Sequence, residues 1–282
     1  LIAAAADEPE GDAGEKKDEK GEKAEKKKEE PKEQLLDGMP ESFVGPLLAD
    51  LVAHEVGHTL GLRHNFKASS IHELSDMNTE VFKGKQTLTG SVMDYSPINI
   101  NMKDGPVQGD FAMIAVGPYD QWAIEYGYTL EKDLKPILAR VSEASLPFAT
   151  DEDVSGPDPQ SKMFDLGKDS LNYAESSMRL VRFLRPRILD NLVKDGESWK
   201  KARDAFNLLF ARHVGAVRIA SYYVGGASVN RDRKGDPGNR PSLVPYDMAQ
   251  QRRALKFVVD NTFKDEAFGL DRELLSRLGM EK

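Results

Sequence analysis

Cysteine is absent from all 282 residues, which rules out disulfides and thiolate metal ligands together. Any metal this chain holds must sit on histidine or carboxylate side chains, and the compartment cannot be read from redox chemistry. Long apolar runs are missing too: no stretch approaches the roughly 18–20 residues that a membrane-spanning helix requires. Positive charge is not in excess. The formal net charge of −8 argues against a chain whose main task is gripping nucleic acid. From Asp7 to Glu33 there is no aromatic and no β-branched residue, only a run dominated by Glu, Lys, Asp, Gly and Ala. Such a segment cannot bury enough surface to offset its ordering entropy, so residues 1–34 are expected to form a disordered, charged insert. Leu1-Ile2-Ala3-Ala4-Ala5-Ala6 ahead of it fits either the tail of a signal peptide with a small-residue cleavage site or the end of a helix belonging to a longer chain.

What remains is ample for a real core, and its pattern is mainly helical. Phe43, Leu47, Leu48, Leu51 and Val52 recur at helical spacing, with Gly45-Pro46 as a candidate start and Gly61 as the stop. Residues 66–110 alternate short apolar runs with Gly, Asn and Pro, which predicts loop with a strand or two. A short helix is expected from Pro118 to Tyr126, ending at Gly127. Leu171, Ala174, Met178, Val181, Leu184, Ile188 and Leu192 form one apolar stripe that Pro186 is placed to kink. Trp199, Ala202, Phe206, Leu209, His213 and Ala216 form a second stripe. Leu255, Val258 and Val259 mark a third helix and Asp271–Leu278 a fourth. Between these, Tyr222–Pro245 is rich in Gly, Arg, Asn and Pro and predicts a loop or irregular hairpin.

The chemistry is concentrated in His54-Glu55-Val56-Gly57-His58-Thr59-Leu60-Gly61-Leu62-Arg63-His64. Two histidines four residues apart share one helix face and can reach one ion at about 2.0–2.1 Å. Glu55 lies roughly 100° round the helix, near enough to meet a metal-bound water without binding the metal. A continued helix would carry His64 about 9 Å beyond His58 and off the His face. The chain must therefore turn sharply, and Gly61 is the residue that takes positive φ without steric cost. His64 then returns as a third ligand. Three neutral ligands leave a position open, as a catalytic zinc requires and a structural zinc does not. The full spacing arises by chance in a chain of this length on the order of once in 10⁵.

H-E-x-x-H-x-x-G-x-x-H is the metzincin signature, and Ser91-Val92-Met93-Asp94-Tyr95 resembles the Met-containing turn of that clan, with Met93 as its methionine. The M-x-Y form is similar to that of astacins and serralysins. The resemblance implies that Tyr95 can reach the zinc and stabilise the transition state; the plain alternative is a packed aromatic. Gly117–Gly127 resembles the helix that follows the Met-turn. More widely, residues from about Ser42 to Phe263 resemble bacterial secreted zinc metalloproteases with an EcxA-like zinc-binding domain.

The resemblance implies a mainly α fold (α+β in the family), with a catalytic core over 35–128 and a helical extension over 129–282. The twisted sheet that metzincins place before the zinc helix has no room ahead of His54, so a fragment of a longer protein is expected. The implied activity is Zn²⁺-dependent endopeptidase cleavage of a peptide or protein substrate, with Glu55 as general base, outside the cytoplasm in a secreted or periplasmic setting. A zinc hydrolase with a non-peptide substrate and a non-catalytic interaction module remain as alternatives, the second disfavoured by the intact Glu55. His72 is expected at the surface or in a cap, and His213 as a buried, hydrogen-bonded residue. Asp94 is placed to anchor the turn through backbone hydrogen bonds. Arg231, Arg233, Lys234 and Arg240 form a basic cluster in a loop that is either solvated or docks an acidic partner.

Overall fold

The computed structural model describes residues 34–36 and 38–279. The charged segment expected over 1–34 lies, Gln34 apart, outside the described residues. The first of these form a small hairpin, β1 (Leu35–Leu36) and β2 (Met39–Pro40), paired antiparallel with Leu35 opposite Pro40. The hairpin leads directly into α1 (Glu41–Thr59). This helix begins earlier than Gly45-Pro46 predicts, and Pro46 lies inside it. The extra turn forms because the Glu41 amide donates to the Gln34 carbonyl and the Glu41 carboxylate suits the positive end of the helix.

No strand forms among residues 66–110. The segment instead holds a 3₁₀ turn over Ala68–Ile71 and one helical turn, α2 (Leu74–Met77). Side-chain amides do the work of a ladder here. Asn101 Nδ2 donates to the Gly105 and Val107 carbonyls while its Oδ1 accepts from the Asp104 and Gly105 amides. Asn78 and Asn99 bond each other, and Asn78 Oδ1 also takes the Gly109 amide. Each amide supplies donor and acceptor at once, so the backbone is satisfied without a partner strand.

Helix α3 (Pro118–Tyr128) runs slightly past the predicted end, and α4 (Lys135–Leu138) packs against it through Trp122, whose Nε1 donates to the Ile137 carbonyl. The stripe from Leu171 builds α5 (Ser170–Leu184), started by the Asp169 side chain accepting from the Leu171 amide. Pro186 acts as predicted: without an N–H it breaks the ladder, and the chain continues as a 3₁₀ turn over Arg185–Arg187 and a π turn over Ile188–Leu192. Helix α6 (Lys200–Ser221) lies along α5 and buries Ala202, Leu209, His213 and Ala216. The irregular hairpin is β3 (Ala227–Val229) against β4 (Leu243–Pro245). Helices α7 (Met248–Asp260) and α8 (Arg272–Arg277) follow, capped by Asp247 and Asp271. The chain is thus mainly helical, as expected. Among the described residues no helix is long and apolar enough to cross a membrane.

The main core joins the Met93 turn to the helices behind it: Val92 and Met93 pack with Met178 and Val181 of α5 and Ala216 and Ile219 of α6. The helical extension and the expected catalytic core therefore share one interior.

Candidate metal centre

Helix α1 ends in a Schellman motif. The Leu62 amide donates to the Gly57 carbonyl and the Gly61 amide to the His58 carbonyl, with Gly61 at φ +84°. This reversal brings His64 back beside the helix, where the Asn65 amide donates to the Met93 carbonyl. The His54, His58 and His64 rings then lie 4.8, 4.9 and 5.4 Å apart by centroid. Their ligand atoms fall within 4.8 Å of one another.

The hydrogen bonds decide which nitrogens are free. His54 Nδ1 is 2.8 Å from the Val92 carbonyl, His58 Nδ1 is 3.1 Å from the Leu62 carbonyl, and His64 Nδ1 is 2.9 Å from Asp151 Oδ1. None of these oxygens can donate when the carboxylate is ionised, so each Nδ1 carries the proton and each Nε2 presents a lone pair. His64 Nε2 is buried with no hydrogen-bond partner, an unsatisfied acceptor that an apolar interior tolerates poorly. Burial holds the His54 imidazole below its usual pKa, and the neighbouring His58 and His64 push the same way. A neutral ring is what a metal needs. Three converging imidazole nitrogens and no thiolate suit zinc, with one coordination position left to solvent or substrate.

Met93 is fully buried beneath α1. A Cβ on residue 57 would collide with Met93 Sδ, so glycine at 57 is what lets the sulfur come so close under the helix. The turn itself is held by a residue the sequence did not single out. Asp120 of α3 accepts from the Val92 and Gly117 amides, at 2.9 and 2.8 Å, and from the Ser91 hydroxyl. Its carboxyl pKa is raised by burial against the opposing pull of these donors. Asp94 contributes as anticipated through the backbone, accepting from the Ser69 amide at 2.7 Å. It lies outside the three-histidine cluster.

Glu55 is exposed on α1 beside the cluster and makes no hydrogen bond or ion pair among the described residues. Tyr95 is half-buried, with its ring 5.3 Å from His54 and 4.6 Å from His64. Phe164 braces it from behind: the rings stack at 5.9 Å and the Phe164 amide donates to the Tyr95 carbonyl. Phe164 does so at φ +64°, a strained conformation for a bulky residue. It lay outside the motif and carried no signal in the sequence.

The other histidines stand apart. His72 packs edge-on against Phe82 at 5.0 Å and is half-buried rather than exposed. His213 is wholly buried between Arg185 and the Asn261 carbonyl, as its place on the stripe predicted. In the basic cluster, Arg240 is taken up by Asp232 and Arg231 by Asp153, both at 2.6 Å, which leaves less charge for a partner than the sequence implied.

The chain belongs to the Met-zincin family, which matches residues 37–281. Membership and the three-histidine cluster together make it a zinc-binding protein and, at the level of the family, a zinc metallopeptidase. No curated protein and no solved structure matches it.

Proposed function

We propose that the chain is a zinc-dependent endopeptidase acting on peptide or protein substrates, with His54, His58 and His64 as zinc ligands through Nε2 and Glu55 as general base. The observation that carries this reading is the convergence of three proton-free imidazole nitrogens beside an unpaired, exposed carboxylate one residue along the same helix. Zinc, when bound, would supply a Lewis acid that lowers the pKa of water towards about 7 and polarises a carbonyl oxygen. Glu55 takes the proton of the attacking water on a carboxylate oxygen and passes it to the leaving amine nitrogen. Its exposure and lack of an ion pair keep that oxygen free for the exchange. The Tyr95 hydroxyl donates to the carbonyl oxygen as charge develops there; its ring beside His54 and His64 supports that role. Met93 is a buried platform that holds α1 at its height above the core. A secreted or periplasmic location follows from the family resemblance.

The test is digestion of a denatured protein by zinc-loaded chain and by its Glu55→Gln variant, with zinc content measured in both. Cleavage by the parent alone, with equal zinc, is the expected result. Equal cleavage by both would remove Glu55 from the mechanism, and loss of zinc from the variant would contradict the assigned roles.

A further inference from the structure

The three ligands differ in what stands behind them. His54 and His58 lean on backbone carbonyls, Val92 and Leu62. His64 leans on a carboxylate, Asp151 Oδ1, from a segment 87 residues further along the chain. That segment is fastened to the ligand turn. Arg63, next to His64, makes two bonds to Glu152, Nη2 standing 2.9 Å from Oε1 and 2.8 Å from Oε2, and its guanidinium is 3.5 Å from Asp151 Oδ2. Asp151 Oδ2 also accepts from the Thr150 hydroxyl at 3.2 Å. Thr150 in turn is bound through its amide to Asp153 Oδ2 at 2.8 Å, and the Phe66 amide donates to the Ala149 carbonyl. Both oxygens of Asp151 are thus committed, and its orientation is fixed from two sides.

We infer that Asp151 is a positioning residue of the metal centre: it holds His64 in the tautomer and orientation that aim Nε2 at zinc, and Arg63 with Glu152 clasps it there. A carboxylate behind a ligating imidazole fixes the ring and raises the basicity of the coordinating nitrogen, and losing such a partner typically costs about 10–100-fold in metal affinity. The metal centre then depends on residues 150–152, beyond the 35–128 stretch that carries every ligand. The inference rests on the zinc-ligand assignment above and not on peptidase activity.

The experiment is zinc competition against a chromophoric chelator on the full chain, with the melting temperature of the zinc-free chain recorded beside it. Parent, Asp151→Ala and Asp151→Asn are compared. Asp151→Ala is expected to bind zinc about 10–100-fold more weakly, with the zinc-free melting temperature unchanged because the side chain is about half exposed. Asp151→Asn keeps an acceptor for Nδ1–H and is expected to recover most of the affinity. Parent-like affinity in Asp151→Ala overturns the inference. A drop in zinc-free melting temperature, with no recovery in Asp151→Asn, overturns it too and makes the residue a brace of its own turn. A parent that holds no zinc takes down the ligand assignment as well, whereas a zinc-loaded parent with an indifferent Asp151→Ala variant sinks this inference alone.

Discussion

Of the nineteen residues of α1, only His54 and Gly57 are buried, whereas α5 hides ten of its fifteen. The helix that carries His54 and His58 is therefore held on a narrow line, and helices outside the histidine cluster make the interior. Leu48, Leu51, Val52 and Val56 of α1, and Leu60 just past its end, are all exposed. Several of them line an open, almost wholly apolar groove of about 630 Å³ with Val116 and Ile124. In α5 the residues at the same spacing, Leu171, Met178 and Val181, are sealed against α6 and the Met93 turn. Apolar periodicity thus says that a helix forms and which of its faces is greasy. What covers that face is a separate matter.

The contrast can be attacked from both sides. The largest effect is expected on chemistry at the exposed helix, where Glu55→Gln lowers kcat by about 10²–10⁴-fold, the usual contribution of a general base, while leaving the denaturant midpoint unchanged. A large shift in that midpoint would mean Glu55 supports the fold. At the buried helix, Met178→Ala is expected to cost about 2–5 kcal/mol of stability, read from urea unfolding, with zinc affinity little altered. A loss below about 1 kcal/mol would show that the α5–α6 interior is looser than its burial indicates.

Gly57→Ala probes the line where the two regions meet. The new Cβ collides with Met93 Sδ, so overpacking of about 1–3 kcal/mol is expected, with weaker zinc binding as α1 is lifted. Unchanged stability would mean that Met93 swings aside freely. A pH titration tests the seam just beneath. Burial pushes the Asp165 carboxyl up to about 7, and Asp94, held well above its ordinary value by burial and by Asp165, shares the site. The folded chain thus keeps a proton that the unfolded chain has lost, so this contribution to stability is complete below about pH 4 and fades as pH rises through about 7. The slope is at most about 1.4 kcal/mol per pH unit for one group. Urea midpoints at several pH values should show a shallower fall for Asp165→Asn than for the parent, and parallel curves would contradict the assigned protonation. The smallest effect belongs to Leu51→Ala on the exposed face, within about 0.5 kcal/mol; a cost typical of a core leucine would mean that this face is covered in solution.

The ligand set was legible because its geometry is local. The i, i+4 pair, the adjacent Glu55 and the reversal at Gly61 lie within eleven residues, and helix geometry with the left-handed tolerance of glycine decides their placement without reference to the rest of the chain. The α5 and α6 stripes and the break at Pro186 were legible for the same reason. Residues 66–110 form the loop their composition predicts but not the strand or two, because Asn78, Asn99 and Asn101 satisfy the backbone through partners 3 to 31 positions away, and no periodicity records that.

Composition and spacing alone determined a cysteine-free, mainly helical chain with a three-histidine zinc site and a carboxylate beside it. Only the tertiary structure decided what orients those groups. Asp120 holds the Met93 turn, Phe164 braces Tyr95, and Asp151 stands behind His64, each from 27 to 87 residues away along the chain. A coordinating nitrogen advertises itself by spacing on its own helix. Its hydrogen-bond partner needs only to arrive at the right point in space, and any carboxylate or carbonyl that the fold delivers there will serve.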